Sequence, residues 1–139
     1  MDIEVLRPIE SWFKLKGWTP SPFQKESWRA YLQGESGLIQ VPTGSGKTLA
    51  AVMGPIARML SEQQQKNGIQ LLYITPLRAL SRDLTLAIRE PIDAMGWSIG
   101  VGTRNGDTSG AERTKQLKTP PNILVTTPES LCVLLGNKK

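Results

Sequence analysis

One run of eight residues concentrates the chemistry of this chain: Val41-Pro42-Thr43-Gly44-Ser45-Gly46-Lys47-Thr48. Gly44 and Gly46 let the backbone curl so that successive N–H groups, those of Thr43 and Ser45 among them, point inward. A helix starting at Lys47 adds its positive N-terminal end, and the two together cradle a polyphosphate. Lys47 then reaches the outer phosphates, and the Thr48 hydroxyl is a ligand for magnesium. A glycine-rich turn that merely joined a strand to a helix would show the same glycines. It would have no use for a lysine in the first helical turn, where the dipole disfavours a cation unless an anion is present. One departure stands out: Val41 occupies the first position of the G-x-x-x-x-G-K-[ST] pattern, where glycine is general.

Three further segments carry charge or polarity at positions that invite an anion. In the helix expected after Pro76-Leu77, Arg78, Arg82 and Arg89 fall within about 40° of one another at 100° per residue, opposite Leu77, Leu80, Leu84 and Ile88. Such a stripe is commonly a solvated face, yet Arg78 in the first turn opposes the helix dipole, and an anion held there explains it. The string Arg104-Asn105-Gly106-Asp107-Thr108-Ser109-Gly110-Ala111-Glu112-Arg113 includes Ser109 and Glu112 at capping-box spacing, which accounts for part of it as helix initiation. In Thr127-Pro128-Glu129, Thr127 is suited to cap, Pro128 to the first helical position and Glu129 to the dipole.

These segments need elements to hold them. Apolar residues three and four apart, Ile3, Leu6, Ile9 and Phe13 with Trp12, predict an amphipathic helix ending near Gly17, and Pro20, Ser21 and Pro22 open a second over 23–33. From Leu38 onward the pattern changes to short apolar runs alternating with helices. Strands are expected at 38–41, 70–75, 97–102 and 123–126, and helices at 47–62, 77–95 and 110–117. Such alternation implies an α/β fold, a parallel sheet with helices on both faces. Pro42, Pro76 and Pro128 each follow a strand, so the three junctions share the carboxyl edge of the sheet, where ligands bind in such folds. The expected organisation is an N-terminal helical region, 1–36, followed by a nucleotide-binding region, 37–139.

The motifs agree with one family. Gly17-Trp18-Thr19-Pro20-Ser21-Pro22-Phe23-Gln24 resembles the Q motif of superfamily 2 helicases, which implies that Phe23 and Gln24 meet the adenine; an amide both donates to and accepts from its edge. Thr75 to Asp83 is similar to motif Ia, implying that Pro76, Leu77, Arg78 and Arg82 grip the nucleic-acid backbone. The Arg104 to Arg113 string resembles the R-T-G-D-T-x-x-x-E-R signature of large-helicase-related enzymes, with Asn105 in place of the usual Thr. The Thr126 to Leu131 segment matches their T-T-P-E-S-L motif. Arg104, Gly106, Asp107, Thr108, Thr127, Pro128 and Glu129 are thereby implied as nucleic-acid contacts. The resemblance spans nearly the whole chain and is strongest to ligase-associated DEXH-box helicases. It implies a P-loop, RecA-like domain that uses ATP and Mg2+, and a 3′-to-5′ DNA translocase of DNA repair. The DNA would be single-stranded or a duplex with a 3′ tail, and repair proteins are implied as further partners.

Water attack on ATP needs carboxylates that this family supplies from a D-E-x-H motif, and the sequence contains no adjacent Asp-Glu pair. The expectation is a partial domain, ending before that strand, which binds nucleotide without hydrolysing it and relies on a C-terminal remainder of the helicase. The bulk composition sets outer limits. The 139 residues, 39% hydrophobic and 21% charged, suit one globular core. No histidine and one cysteine exclude zinc sites and histidine catalysis within the chain. Cys132, in an apolar run, is expected to be buried. No membrane span or secretory signal is visible, which implies a cytoplasmic protein. The net charge of +5 is compatible with a polyanion partner. Two other classes fit parts of the pattern: a small-molecule P-loop kinase, for which no lid or acceptor site is visible, and a non-catalytic nucleic-acid-binding module.

Overall fold

The computed structural model describes residues 3–42, 46–62, 68–76, 78–105 and 108–136. They fall into two compact units, one up to Glu62 and one from Gly68 on.

The first unit is helical: α1 (Ile3–Leu15), α2 (Pro22–Leu32) and α3 (Lys47–Ser61). Leu6, Ile9, Trp12 and Phe13, the spacing that predicts α1, are all buried. The helix closes where Gly17 takes φ +76°, a left-handed turn that glycine adopts without strain. Trp12, Phe13, Trp18 and Trp28 meet edge to face at centroid distances of 5.4 to 6.2 Å, the geometry that ring quadrupoles favour. Helix α3 buries Ala50, Val52, Met53, Ile56 and Ala57. At Gly54 a Cβ would stand 3.2 Å from the Tyr31 ring, so the missing side chain lets α2 lie close against α3.

The strand expected at 38–41 is not formed. A strand exists through ladder hydrogen bonds to a neighbour, and among the described residues nothing pairs with this run; Leu38 is exposed.

The second unit holds a three-stranded parallel sheet in the order β1-β3-β2, with β1 (Leu71–Ile74), β2 (Val101–Arg104) and β3 (Ile123–Thr126). Leu71 and Val101 both pair with Ile123, and Ile74 and Arg104 both pair with Thr126. β3 is central and every residue of it is buried. Helices α4 (Arg78–Met95), α5 (Gly110–Lys118) and α6 (Pro128–Gly136) complete the unit. Both sheet faces are covered at β2. Thr103 meets α4 through the Thr85 hydroxyl, whereas a Cβ at Gly102, on the opposite face, would meet Pro121 and the Gln116 amide of α5 at 3.0 and 3.3 Å.

Three expectations are corrected here. β2 starts at Val101 rather than Trp97, because 97–100 close the preceding helix: Gly96 has φ +68° and the Trp97 N–H bonds back to Ile92 O at 3.0 Å. Leu80, expected on the buried side of α4, is 44% exposed, and the buried positions from there on are Ser81, Thr85, Ile88, Pro91 and Ile92. The helix is turned so that Ser81 and Thr85, both polar, face inward, which suits the hydroxyl and amide groups at the end of β2. Cys132 is exposed; on α6 the buried residue is Ser130, and the apolar run continues past it onto the outer face with Val133 and Leu135.

Candidate nucleotide and nucleic-acid sites

Thr43, Gly44 and Ser45 lie outside the described residues, and the loop enters the structure at Gly46, the N-cap of α3. Gly46 has φ +87°, and a Cβ there would fall 2.6 Å from Gln24 Nε2; only glycine meets both demands. Lys47 is exposed and Thr48 half-buried in the first turn, which contains no acidic residue. A cation at the positive end of a helix, with no carboxylate beside it, is a donor set suited to a polyphosphate.

Helix α2 supports this turn from behind with two side chains one turn apart. Gln24, 5% exposed, accepts the Ser21 N–H through Oε1 at 2.9 Å and donates from Nε2 to Gly46 O at 3.2 Å. Trp28, 1% exposed, donates its indole N–H to Leu49 O at 2.9 Å. Gln24 was legible in the sequence as a polar reader; Trp28 was not, since its partner is 21 residues away. Phe23 is half-buried and lines an open cleft of about 680 Å³ with Tyr31, Val41 and Ala51. Among the described residues no cluster of His, Cys, Asp and Glu could hold a metal. Thr48 is therefore the one expected magnesium ligand described here, and the phosphates of a bound nucleotide fit as the complement.

In the second unit the expected nucleic-acid residues gather at the carboxyl ends of the strands. Pro76 follows β1 and is exposed; α4 begins at Arg78, and Arg82 is exposed on it. Arg89, of the same stripe, donates to Val101 O at 3.0 Å and so fastens α4 to β2. Leu77, Gly106 and Asp107 lie outside the described residues. Pro128 and Glu129 are exposed at the start of α6, while Thr127 is buried and its hydroxyl faces the Ser130 N–H at 3.4 Å.

Arg104 ends β2 and is only 4% exposed. Among the described residues its guanidinium has no hydrogen-bond or carboxylate partner. Burial lowers its pKa, and the charge of Arg113 lowers it further. Arg113 donates from Nη2 to Asn105 O at 3.1 Å, and its Nε is buried without a partner. Two guanidiniums so placed leave donors unmet, an arrangement that an anion satisfies. Asn105 is buried as well: its N–H bonds to the Thr108 hydroxyl, and its Nδ2 donates to Ser81 Oγ, both at 2.9 Å. Ser109 caps α5 by accepting the Glu112 N–H at 3.1 Å, the half of the capping box that its spacing predicts. Sequence reasoning missed Ser81 and Asn105 as partners, because nothing local to either announces a contact across 24 residues.

A helix start of Gly46, Lys47 and Thr48 with no acid in its first turn, together with a three-stranded parallel sheet covered by helices, fits a RecA-like nucleotide-binding domain of the P-loop class. A profile of DEAD/DEAH box helicases matches residues 21–139, and the chain belongs to that family. It is 36% identical over 146 aligned residues to the ATP-dependent helicase Lhr-Core of Methanocaldococcus jannaschii, covering 96% of this chain and 17% of that protein. To the Lhr helicase/probable uracil glycosylase of Mycolicibacterium smegmatis it is 38% identical, over 89% of this chain and 9% of that one. Among solved structures, helicase Lhr of Mycobacterium smegmatis, described as bound to ssDNA and AMP-PNP, superposes with a TM-score of 0.83 at 37% identity. It covers 92% of this chain and 17% of that one. DUF1998 helicase MrfA, described as bound to DNA and AMPPNP, gives 0.76 at 30% identity over 88% of this chain and 17% of its own. The chain thus spans a small part of each relative. Family membership sets the small-molecule kinase reading aside and bears out the large-helicase-related resemblance.

Proposed function

We propose that this chain supplies the nucleotide-binding part of an ATP-dependent 3′-to-5′ DNA helicase or translocase that acts in DNA repair in the cytoplasm. The observation that carries the reading is the start of α3: Gly46 in a left-handed turn, Lys47 exposed beside it, no acid in the first turn, and α2 bracing the backbone through Gln24 and Trp28. In this reading Thr43, Gly44, Ser45 and Gly46 wrap the phosphates, Lys47 holds the outer ones, Thr48 takes Mg2+, and Phe23 and Gln24 meet the adenine. Residues 1–36 form the helical adenine-reading region and 37–139 the phosphate-binding one. Bound Mg-ATP brings the phosphoanhydride that drives translocation; the residues of this chain bind and orient it. Gln24 uses one N–H and one lone pair in its present contacts and keeps a second of each for a base, so the residue that reads adenine also holds Gly46.

Along the carboxyl edge of the sheet, Pro76, Leu77, Arg78, Arg82, Arg104, Gly106, Asp107, Thr108, Thr127, Pro128 and Glu129 hold the DNA backbone. The supporting facts are the exposed Arg82 and a buried Arg104 whose guanidinium has no partner among the described residues. Two solved relatives whose descriptions name bound DNA or ssDNA make DNA the favoured polyanion. Because the sequence holds no adjacent Asp-Glu pair, the chain by itself is expected to bind nucleotide without turnover. Titration of AMP-PNP with Mg2+ should show binding that Lys47→Ala weakens by roughly ten- to a hundredfold, the worth of one charge-assisted hydrogen bond. Binding that Lys47→Ala leaves unchanged would overturn the reading, as would Lys47-dependent ATP turnover by the 139 residues alone.

A further inference from the structure

Helix α4 and the end of β2 carry two of the segments assigned to the nucleic-acid backbone, and polar groups join them where carbon would ordinarily pack. From Ser81 on, the buried positions of α4 are first polar, Ser81 and Thr85, and then apolar, Ile88, Pro91 and Ile92. Ser81 is sealed from solvent and Asn105 nearly so. Asn105 Nδ2 donates to Ser81 Oγ at 2.9 Å. The Thr85 hydroxyl bonds to Ser81 O at 2.7 Å and to the hydroxyl of Thr103 on β2. Aliphatic contacts alone tolerate small sliding of a helix along a sheet. A buried amide-to-hydroxyl bond does not, because a slip strands donors in a medium that cannot repay them. Ser81 directly precedes Arg82, and Asn105 directly follows Arg104, so whatever fixes one pair fixes the other.

We propose that the Asn105–Ser81 contact is a positioning device that sets the separation of Arg82 and Arg104, so that both engage phosphates of one DNA strand at once. The proposal rests on the assignment of these arginines to the DNA backbone. It gives the Asn105 amide a role of its own: the side chain reaches across to Ser81 on α4. A buried polar pair that only stabilised the fold would show the same geometry, and the test must separate the two roles.

The measurement is the affinity of the protein for a fluorescein-labelled single-stranded oligothymidylate across a salt series, with thermal melting alongside, for Ser81→Ala, Asn105→Ala and the double variant. Each single variant should weaken binding by about fivefold, the worth of one neutral hydrogen bond. Each should also flatten the salt slope by about one phosphate contact. The double variant should lose clearly less than the sum of the two single losses, since both singles remove the shared Asn105–Ser81 bond, and the exchange of Ser81→Asn with Asn105→Ser should recover part of the slope. Additive losses of affinity, or a lowered melting temperature with affinity and slope intact, would overturn the proposal. If the alanine variants do not fold, Asn105→Thr should fold and still flatten the slope; an unchanged slope there also overturns it. Arg82→Gln in parallel tests the underlying assignment: a flattened slope for Arg82→Gln with none for the Ser81 and Asn105 variants sinks the positioning role alone, and no change in any variant sinks both.

Discussion

The two units solve the problem of presenting positive charge in opposite ways. In the helical unit the cation proposed to meet phosphate, Lys47, is exposed, and the buried residues behind it, Gln24 and Trp28, hold backbone carbonyls rather than the charge itself. In the sheet unit the charge is buried: Arg104 is packed at the end of β2 beside Arg113, with no acid to answer it among the described residues. The first arrangement spends little stability, because an exposed ammonium keeps its hydration until a phosphate arrives. The second keeps a desolvated guanidinium in wait, at a standing cost to the fold. Stability and ligand affinity should therefore move together at the phosphate loop and apart at the sheet edge.

Gly46→Ala should give the largest effect. It forces a side chain into the left-handed region, which costs about 1–3 kcal/mol, and drives a methyl group into the Gln24 amide. Both melting temperature and AMP-PNP affinity should fall; a variant with ordinary affinity would break the pairing of the two. Arg104→Met sharpens the contrast from the other side. Replacing a buried charge that has no partner among the described residues with an apolar chain of similar length should stabilise the fold by about 1 kcal/mol, while DNA binding weakens and its salt slope drops by about one contact. The sign follows from the lowered pKa of Arg104: folding disfavours its charged form, so wherever the guanidinium is charged that charge opposes folding. Stability by calorimetry that falls alongside DNA affinity would refute the contrast. Trp28→Phe should be mildest, keeping the ring edge on Phe13 and losing the bond to Leu49 O, for a loss of about 1 kcal/mol and a modest weakening of nucleotide binding in titration.

How much of this was legible depended on the range of the forces involved. Helices α1 to α5 follow apolar spacing and local caps, and β3 coincides with its apolar run, because these signals act within a few residues. The run 38–41 reads as a strand by composition, yet strand formation depends on a neighbour that composition does not supply. Trp97 and Ile99 alternate as a strand would, but Gly96 claims Trp97 to finish α4. The same division holds at the sites. Lys47, Thr48 and Arg104 announce themselves by position in a motif. The burial of Arg104, the bracing of Gly46 and Leu49 by α2, and the Ser81–Asn105 contact all join residues about twenty apart, where spacing along the chain carries no information about distance in space.

The indole of Trp28 also gives the molecule an optical handle. Its N–H is tied to the carbonyl of Leu49, one residue past Thr48, the proposed magnesium ligand, so the electric field at the ring depends on where the first turn of α3 sits. Ultraviolet emission from that ring therefore reports the posture of the phosphate loop from within, with no dye attached. Silencing Trp12, Trp18 and Trp97 would isolate the signal and allow the arrival of a triphosphate to be followed in real time.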